Sequence, residues 1–120
     1  MLTEVEPDAG ASLMQVLTGA GESSGTGVSW VEHLRVTDLS VGTYSIPAGG
    51  TDNQEPHTED EIYLVTAGRA VLETGGDRIV VRPGSVIYVP AGEVHRFAEI
   101  VEDLAAIVVF GPAEYSRVQL

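Results

Sequence analysis

Turn-forming clusters recur about every ten residues from Val28 onward, and between them there is room only for short extended segments. Val28–Val36 and Leu39–Ile46 are rich in β-branched and aromatic residues, and Pro47-Ala48-Gly49-Gly50 ends the second run. Ile62–Thr66 and Arg69–Glu73 flank Ala67-Gly68. Thr74-Gly75-Gly76-Asp77 has hairpin chemistry before Arg78–Val81, and Pro83-Gly84 makes a further turn. Ser85–Val89, Val94–Ala98 and Leu104–Phe110 complete the series. No segment holds helical periodicity over three turns. The pattern predicts an all-β sandwich or barrel of eight or more short strands.

Ahead of this region, Leu13–Leu17 reads as a short edge strand and Thr18–Gly27 as a flexible Gly/Ser-rich loop. The expected organisation is an N-terminal arm over residues 1–27, one barrel over 28–112 and a tail over 113–120. A chain of 120 residues is long enough for one real core.

Charge narrows the partners. Six basic residues stand against eighteen acidic ones, a formal net charge of −12. Such a field opposes approach to phosphate backbones and anionic membranes, so neither nucleic acid nor membrane is an expected partner. No apolar run approaches the ~20 residues that span a bilayer, and the start of the chain lacks signal-peptide character. The absence of cysteine removes disulfides, thiolate metal sites and a cysteine nucleophile, and fits a cytoplasmic protein.

Four residues stand out as a candidate metal site: Glu55, His57, Glu61 and His95. In extended backbone, side chains two apart share a face, so Glu55 and His57 are expected to point together, and Glu61 keeps their parity. His95 follows a second segment, Val86–Gly92. Two imidazoles and two carboxylates on facing strands would hold Fe(II), Mn(II), Ni(II) or Zn(II). Glu55 has two other readings: a general base beside the metal, or a loop residue in solvent. Without it, His57, Glu61 and His95 form a two-histidine, one-carboxylate set with open positions. Glu59 shares parity with His57 and is the main competitor; it is expected to be exposed or bonded to turn amides. The same parity puts Tyr63, Val65 and Phe97 inside. Tyr63 and Tyr44 are candidate catalytic hydrogen-bond donors. An inward Arg35, Arg69, Arg78 or Arg96 would imply an anionic substrate.

These residues lie in two spaced motifs. Gly49 is followed after five residues by Glu55, then by His57, Glu61 and Gly68. Gly84 is followed after five residues by Pro90, then by Gly92, His95 and Glu99. The spacing resembles the two motifs of the cupin superfamily, over roughly Val41–Phe110. Glu55 stands where the family usually has histidine, and Glu99, read as structural, where it usually has asparagine. The resemblance implies a single-domain, cupin-type β-barrel (a double-stranded β-helix, or jelly roll) of the small bacterial kind, with a divalent metal near its centre. It also implies a homodimer, with Trp30 as a candidate anchor on an early strand.

A fold this versatile leaves the reaction open. The leading expectation is a metal-dependent enzyme on a small molecule: an Fe(II)-type dioxygenase, or a non-redox Lewis-acid isomerase or lyase. The alternative is a non-catalytic module that binds a metal or small ligand in support of a pathway.

Overall fold

A computed structural model describes Leu17 and residues 27–118. The expected strand over Leu13–Leu17 and loop over Thr18–Gly27 lie outside these residues, apart from Leu17 and Gly27 at their ends. Six strands form the described region: β1 (Ser29–Arg35), β2 (Ser40–Ile46), β3 (Asp60–Thr74), β4 (Arg78–Val81), β5 (Val86–Val89) and β6 (His95–Gly111). All pair antiparallel, in the order β1-β2-β6-β3-β4, with β5 also on β3.

The expected count of eight or more strands falls to six among the described residues, for a local reason. Ala67-Gly68 and residues 99–103 stand between expected strands, but β3 and β6 run on through them and bend there. Register shifts run through β3 from Val65 to Val71. Gly68 takes a φ of 88°, and its backbone presses on Asp103 so closely that an added Cβ would clash. On β6, Glu99 takes a φ of 48°. Each bend flips the buried parity. Glu61, Tyr63 and Val65 are buried before the β3 bend; Ala70 and Leu72 are buried after it. His95 and Phe97 are buried before Glu99; Ile100, Leu104, Ala106, Val108 and Phe110 are buried after it.

The bends let one long strand serve both halves of a double-stranded β-helix. The first half of β3 pairs with β5 and the end of β6; the second half pairs with β4 and the start of β6. The core runs between the halves and includes Leu72 and Val81, which are fully buried. Full burial of such a side chain contributes about 1.5–3 kcal/mol each. Hairpin chemistry appears where expected: the Thr74 amide donates to the Asp77 carbonyl at 2.9 Å.

After β6 the chain turns back over the barrel mouth. Ala113 and Glu114 are buried. Glu59, expected to be exposed or bonded to turn amides, is buried and accepts from the amides of Tyr115 at 2.7 Å and Arg117 at 3.0 Å. The Glu114 amide donates to Ser40 Oγ at 2.8 Å. Burial raises the cost of the Glu59 charge, but its bonds from Thr58 and these amides prevail and hold its pKa below the usual value.

Candidate metal centre

Three of the four expected ligands converge. Ligand atoms of His57, Glu61 and His95 all lie within 4.8 Å of one another. Glu61 Oε1 is 3.1 Å from His95 Nε2 and 3.9 Å from His57 Nε2. Adjacent ligands about 2.1 Å from one ion, at right angles, lie about 3 Å apart, so the Glu61–His95 spacing already suits a shared cation.

His95 Nδ1 lies 2.8 Å from the Glu93 carbonyl and donates to it, so the Nε2 lone pair faces the site. Glu61 Oε1 is buried and has no hydrogen-bond partner among the described residues. A buried, unpartnered carboxylate oxygen between two imidazoles is costly unless a cation compensates it. The donor set therefore fits a divalent metal.

A side-chain network holds the other wall. Asp52 is buried and accepts from Tyr44 Oη at 2.8 Å, the Phe97 amide at 2.8 Å, and the Gln54 amide at 3.2 Å and Nε2 at 2.6 Å. A carboxylate can only accept, so it captures the Gln54 NH2 and turns Oε1 the other way. That oxygen lies 3.0 Å from His57 Nε2 and 3.0 Å from Tyr63 Oη. Tyr63 Oη is also 3.0 Å from His95 Nε2.

The electrostatics follow burial. Burial, with His95 nearby, lowers the His57 pKa against the pull of Glu61. Burial also opposes charge on His95, but the Glu61 carboxylate beside it and the bond to the Glu93 carbonyl outweigh it and raise its pKa. The phenols of Tyr63 and Tyr44 are pushed well up, first by burial and then by Glu61 and Asp52 respectively, so both stay protonated. Burial, with Glu32 and Glu61, pushes Glu114 up to about 7.

Above the cluster is a cavity of about 140 Å³, lined chiefly by aromatic rings and reaching Glu61 and His57 at its floor. At ~30 Å³ per water this is room for about five waters, or for one small organic molecule.

The sequence model of the cupin domain matches residues 42–110, more than half of the 120-residue chain. The chain belongs to the cupin family. A protein of Streptomyces coelicolor, itself uncharacterized, is 48% identical over 86 residues, covering 72% of this cupin and 82% of the relative. Among solved structures, KdgF from Halomonas sp. superposes with a TM-score of 0.70 at 20% identity, over 78% of this chain and 88% of that one. An RmlC-like cupin from Methanocaldococcus jannaschii gives 0.70 at 14% identity, over 84% and 93%. The DMSP lyase DddQ from Ruegeria pomeroyi gives 0.62 at 22% identity, over 70% and 42%. At these identities the structures share the fold.

The cupin departs from its motif at Glu55. This side chain is exposed and does not join the cluster. The physical reason is that residues 51–57 form no strand, so the alternation expected of Glu55 and His57 does not apply. Gln54 faces the site instead. The sequence offers one clue to this, an Asp two residues before Gln54, with Pro56 interrupting the extended run.

The remaining residues are distributed as follows. Tyr44 and Tyr63 both line the cavity. Trp30, the candidate dimer anchor, also lines the cavity wall, edge-on to Tyr44 and Phe110. Glu99 makes a surface ion pair with Arg78 at 2.6 Å. Of the arginines weighed as anion-binding residues, none lines the cavity. No helix among the described residues is long and apolar enough to cross a membrane.

Proposed function

We propose that this cupin is a metal-dependent enzyme acting on a small organic molecule, with His57, Glu61 and His95 as the protein ligands. The observation that carries this reading is Glu61 Oε1, buried and unpartnered between two imidazoles at the floor of an open cavity. A divalent ion of the Fe, Mn, Ni or Zn class would supply a Lewis acid there and, in the case of iron, a route to O2 chemistry.

The chain's own groups favour non-redox isomerisation or elimination over oxygenation. Tyr63 holds a proton at Oη, 3.0 Å from a ligand nitrogen and 3.0 Å from Gln54 Oε1. A phenol so placed can donate to an oxygen of a bound molecule, or return a proton to carbon. Asp52 fixes the second phenol, Tyr44, through a 2.8 Å bond. Aromatic rings line most of the cavity beside these groups and lower the local polarity, which strengthens the polar contacts. The Ruegeria pomeroyi neighbour is a DMSP lyase, which is in keeping with elimination chemistry on this fold.

The test is elemental analysis of protein purified without added metal, followed by substrate screening with O2 uptake recorded. Stoichiometric metal, with turnover and no O2 consumption, supports the reading. Iron with substrate-dependent O2 uptake replaces it with oxygenation. Metal without turnover across the screen leaves a binding module, and failure to load metal at all overturns the ligand assignment.

A further inference from the structure

We infer that the cavity above the cluster selects a small molecule carrying a positive charge, such as a quaternary or primary ammonium group. The inference names a substrate class for the site proposed above and rests on that reading. It is carried by the charges and rings around the cavity.

All six basic residues of the chain are arginines within the described region: Arg35, Arg69, Arg78, Arg82, Arg96 and Arg117. None lines the cavity, whereas two carboxylates do, Glu61 and Glu114. The charge of Glu61 faces the two imidazoles and is committed to the metal. That of Glu114 has no such partner. Glu114 is only 6% exposed, yet no arginine pairs with its side chain. Among the described residues the one basic side-chain nitrogen within 4 Å of it is His57 Nδ1 at 3.6 Å, beyond hydrogen-bond length, and a ligating imidazole is neutral. Arg35 is close but committed elsewhere: Nη2 donates to the Glu114 backbone carbonyl at 2.7 Å, and Nε pairs with Glu32 at 2.9 Å. It fixes the backbone of Glu114 and leaves the carboxylate facing the cavity. A buried carboxylate without a counter-charge is costly, and a cationic ligand would supply one.

The walls suit the same ligand. Trp30, Tyr44, Phe110 and Tyr115 line the cavity. The Trp30 indole lies across Gly42 so closely that a Cβ there would clash with the ring. Tyr44 and Phe110 hold it edge-on, with ring centroids 6.4 and 6.2 Å away. The wall is therefore built before any ligand arrives. Aromatic faces attract cations, most strongly when water is excluded, and a carboxylate beside them adds to the attraction. An anion would meet Glu114 with no arginine to offset it.

Trp30 is the sole tryptophan, so its fluorescence reports directly on the cavity. The probes are choline, its neutral carbon isostere 3,3-dimethylbutan-1-ol, and the anion 3,3-dimethylbutyrate, each titrated at pH 8 into metal-free and metal-loaded protein. Choline is expected to bind about thirtyfold more tightly than the isostere, the discrimination a desolvated cation–π contact supplies. Glu114→Gln should weaken choline binding about tenfold and leave the isostere unchanged. Equal binding of choline and isostere by the wild type, or tighter binding of the anion to metal-free protein, overturns the inference without recourse to any variant. Choline selectivity in a protein that takes up no metal would sustain the ammonium site and sink the metal-enzyme reading. Metal uptake without selectivity would do the reverse.

Discussion

The two sides of the candidate metal site are built by different means. On one side, Glu61, Tyr63 and His95 stand on β3 and β6, where backbone pairing sets which way each side chain points. On the other, Gln54 and His57 stand on a segment with no ladder of its own, held by Asp52 and by the Gly92 amide donating to the His57 carbonyl at 2.8 Å. The strand side obeys the period-two rule; the loop side does not. Glu55 and Gln54 are adjacent, and side-chain bonding rather than alternation decides that Gln54 faces in. Where the backbone has no ladder, the side chain that finds a buried partner sets the geometry.

The largest test of this contrast is on the strand side. His95→Ala and Glu61→Gln should leave a folded barrel with nearly all metal lost, read by elemental analysis and circular dichroism. Full metal occupancy in either variant would remove the strand side from the site. Next comes Asp52→Ala, which strips the loop side of its anchor. It leaves the Phe97 amide and the Tyr44 hydroxyl without their acceptor, at a cost of about 2–4 kcal/mol in chemical denaturation. Metal affinity should fall about 10–100-fold, as expected for loss of a supporting shell. If stability falls and metal affinity does not, Asp52 holds the fold and not the site.

A finer comparison sets neighbours against each other. Gln54→Leu should weaken metal binding about tenfold, since it removes an oxygen facing the ligands and the group that holds Tyr63. Glu55→Gln should change metal affinity by less than about twofold, because an exposed charge is screened by water. The opposite order in a competitive chelator titration would restore Glu55 to the metal. The smallest effect is expected at Glu99→Gln, which removes an exposed ion pair with Arg78. The cost should be within about 1 kcal/mol, with no change in bound metal. A larger loss would mean that the β6 bend depends on this pair.

Much of the architecture was legible because turn chemistry is local. The Thr74–Asp77 hairpin and the Pro83-Gly84 turn are written in a few adjacent residues whose backbone preferences survive in any context. His57, Glu61 and His95 were legible because their spacing falls within two motifs. Three features were not. The fusion of short runs into β3 and β6 depends on whether Gly68 and Glu99 interrupt the ladder or bend it, and that is settled by neighbouring strands. The inward turn of Gln54 depends on a partner, Asp52, whose own position depends on the Phe97 amide of β6. Glu59 reads as exposed or bonded to turn amides, and nothing local shows that the chain end folds back and buries both it and Glu114.

By itself the sequence determined that the chain would be all-β, that it carries the cupin motifs, and that four candidate ligands, Glu55 among them, lie within them, because periodicity, turn residues and motif spacing are properties of neighbouring positions. Only the tertiary structure decided that His57, Glu61 and His95 meet and that Glu55 does not. His95 pairs with Thr74, thirteen residues along β3 from Glu61, a distance of about 43 Å on a straight strand. Yet their ligand atoms lie 3.1 Å apart. The strands curl at their bulges to bury an apolar core on the inside of the bend, and that closure, which no local pattern specifies, brings together the candidate ligands, the aromatic wall and Glu114.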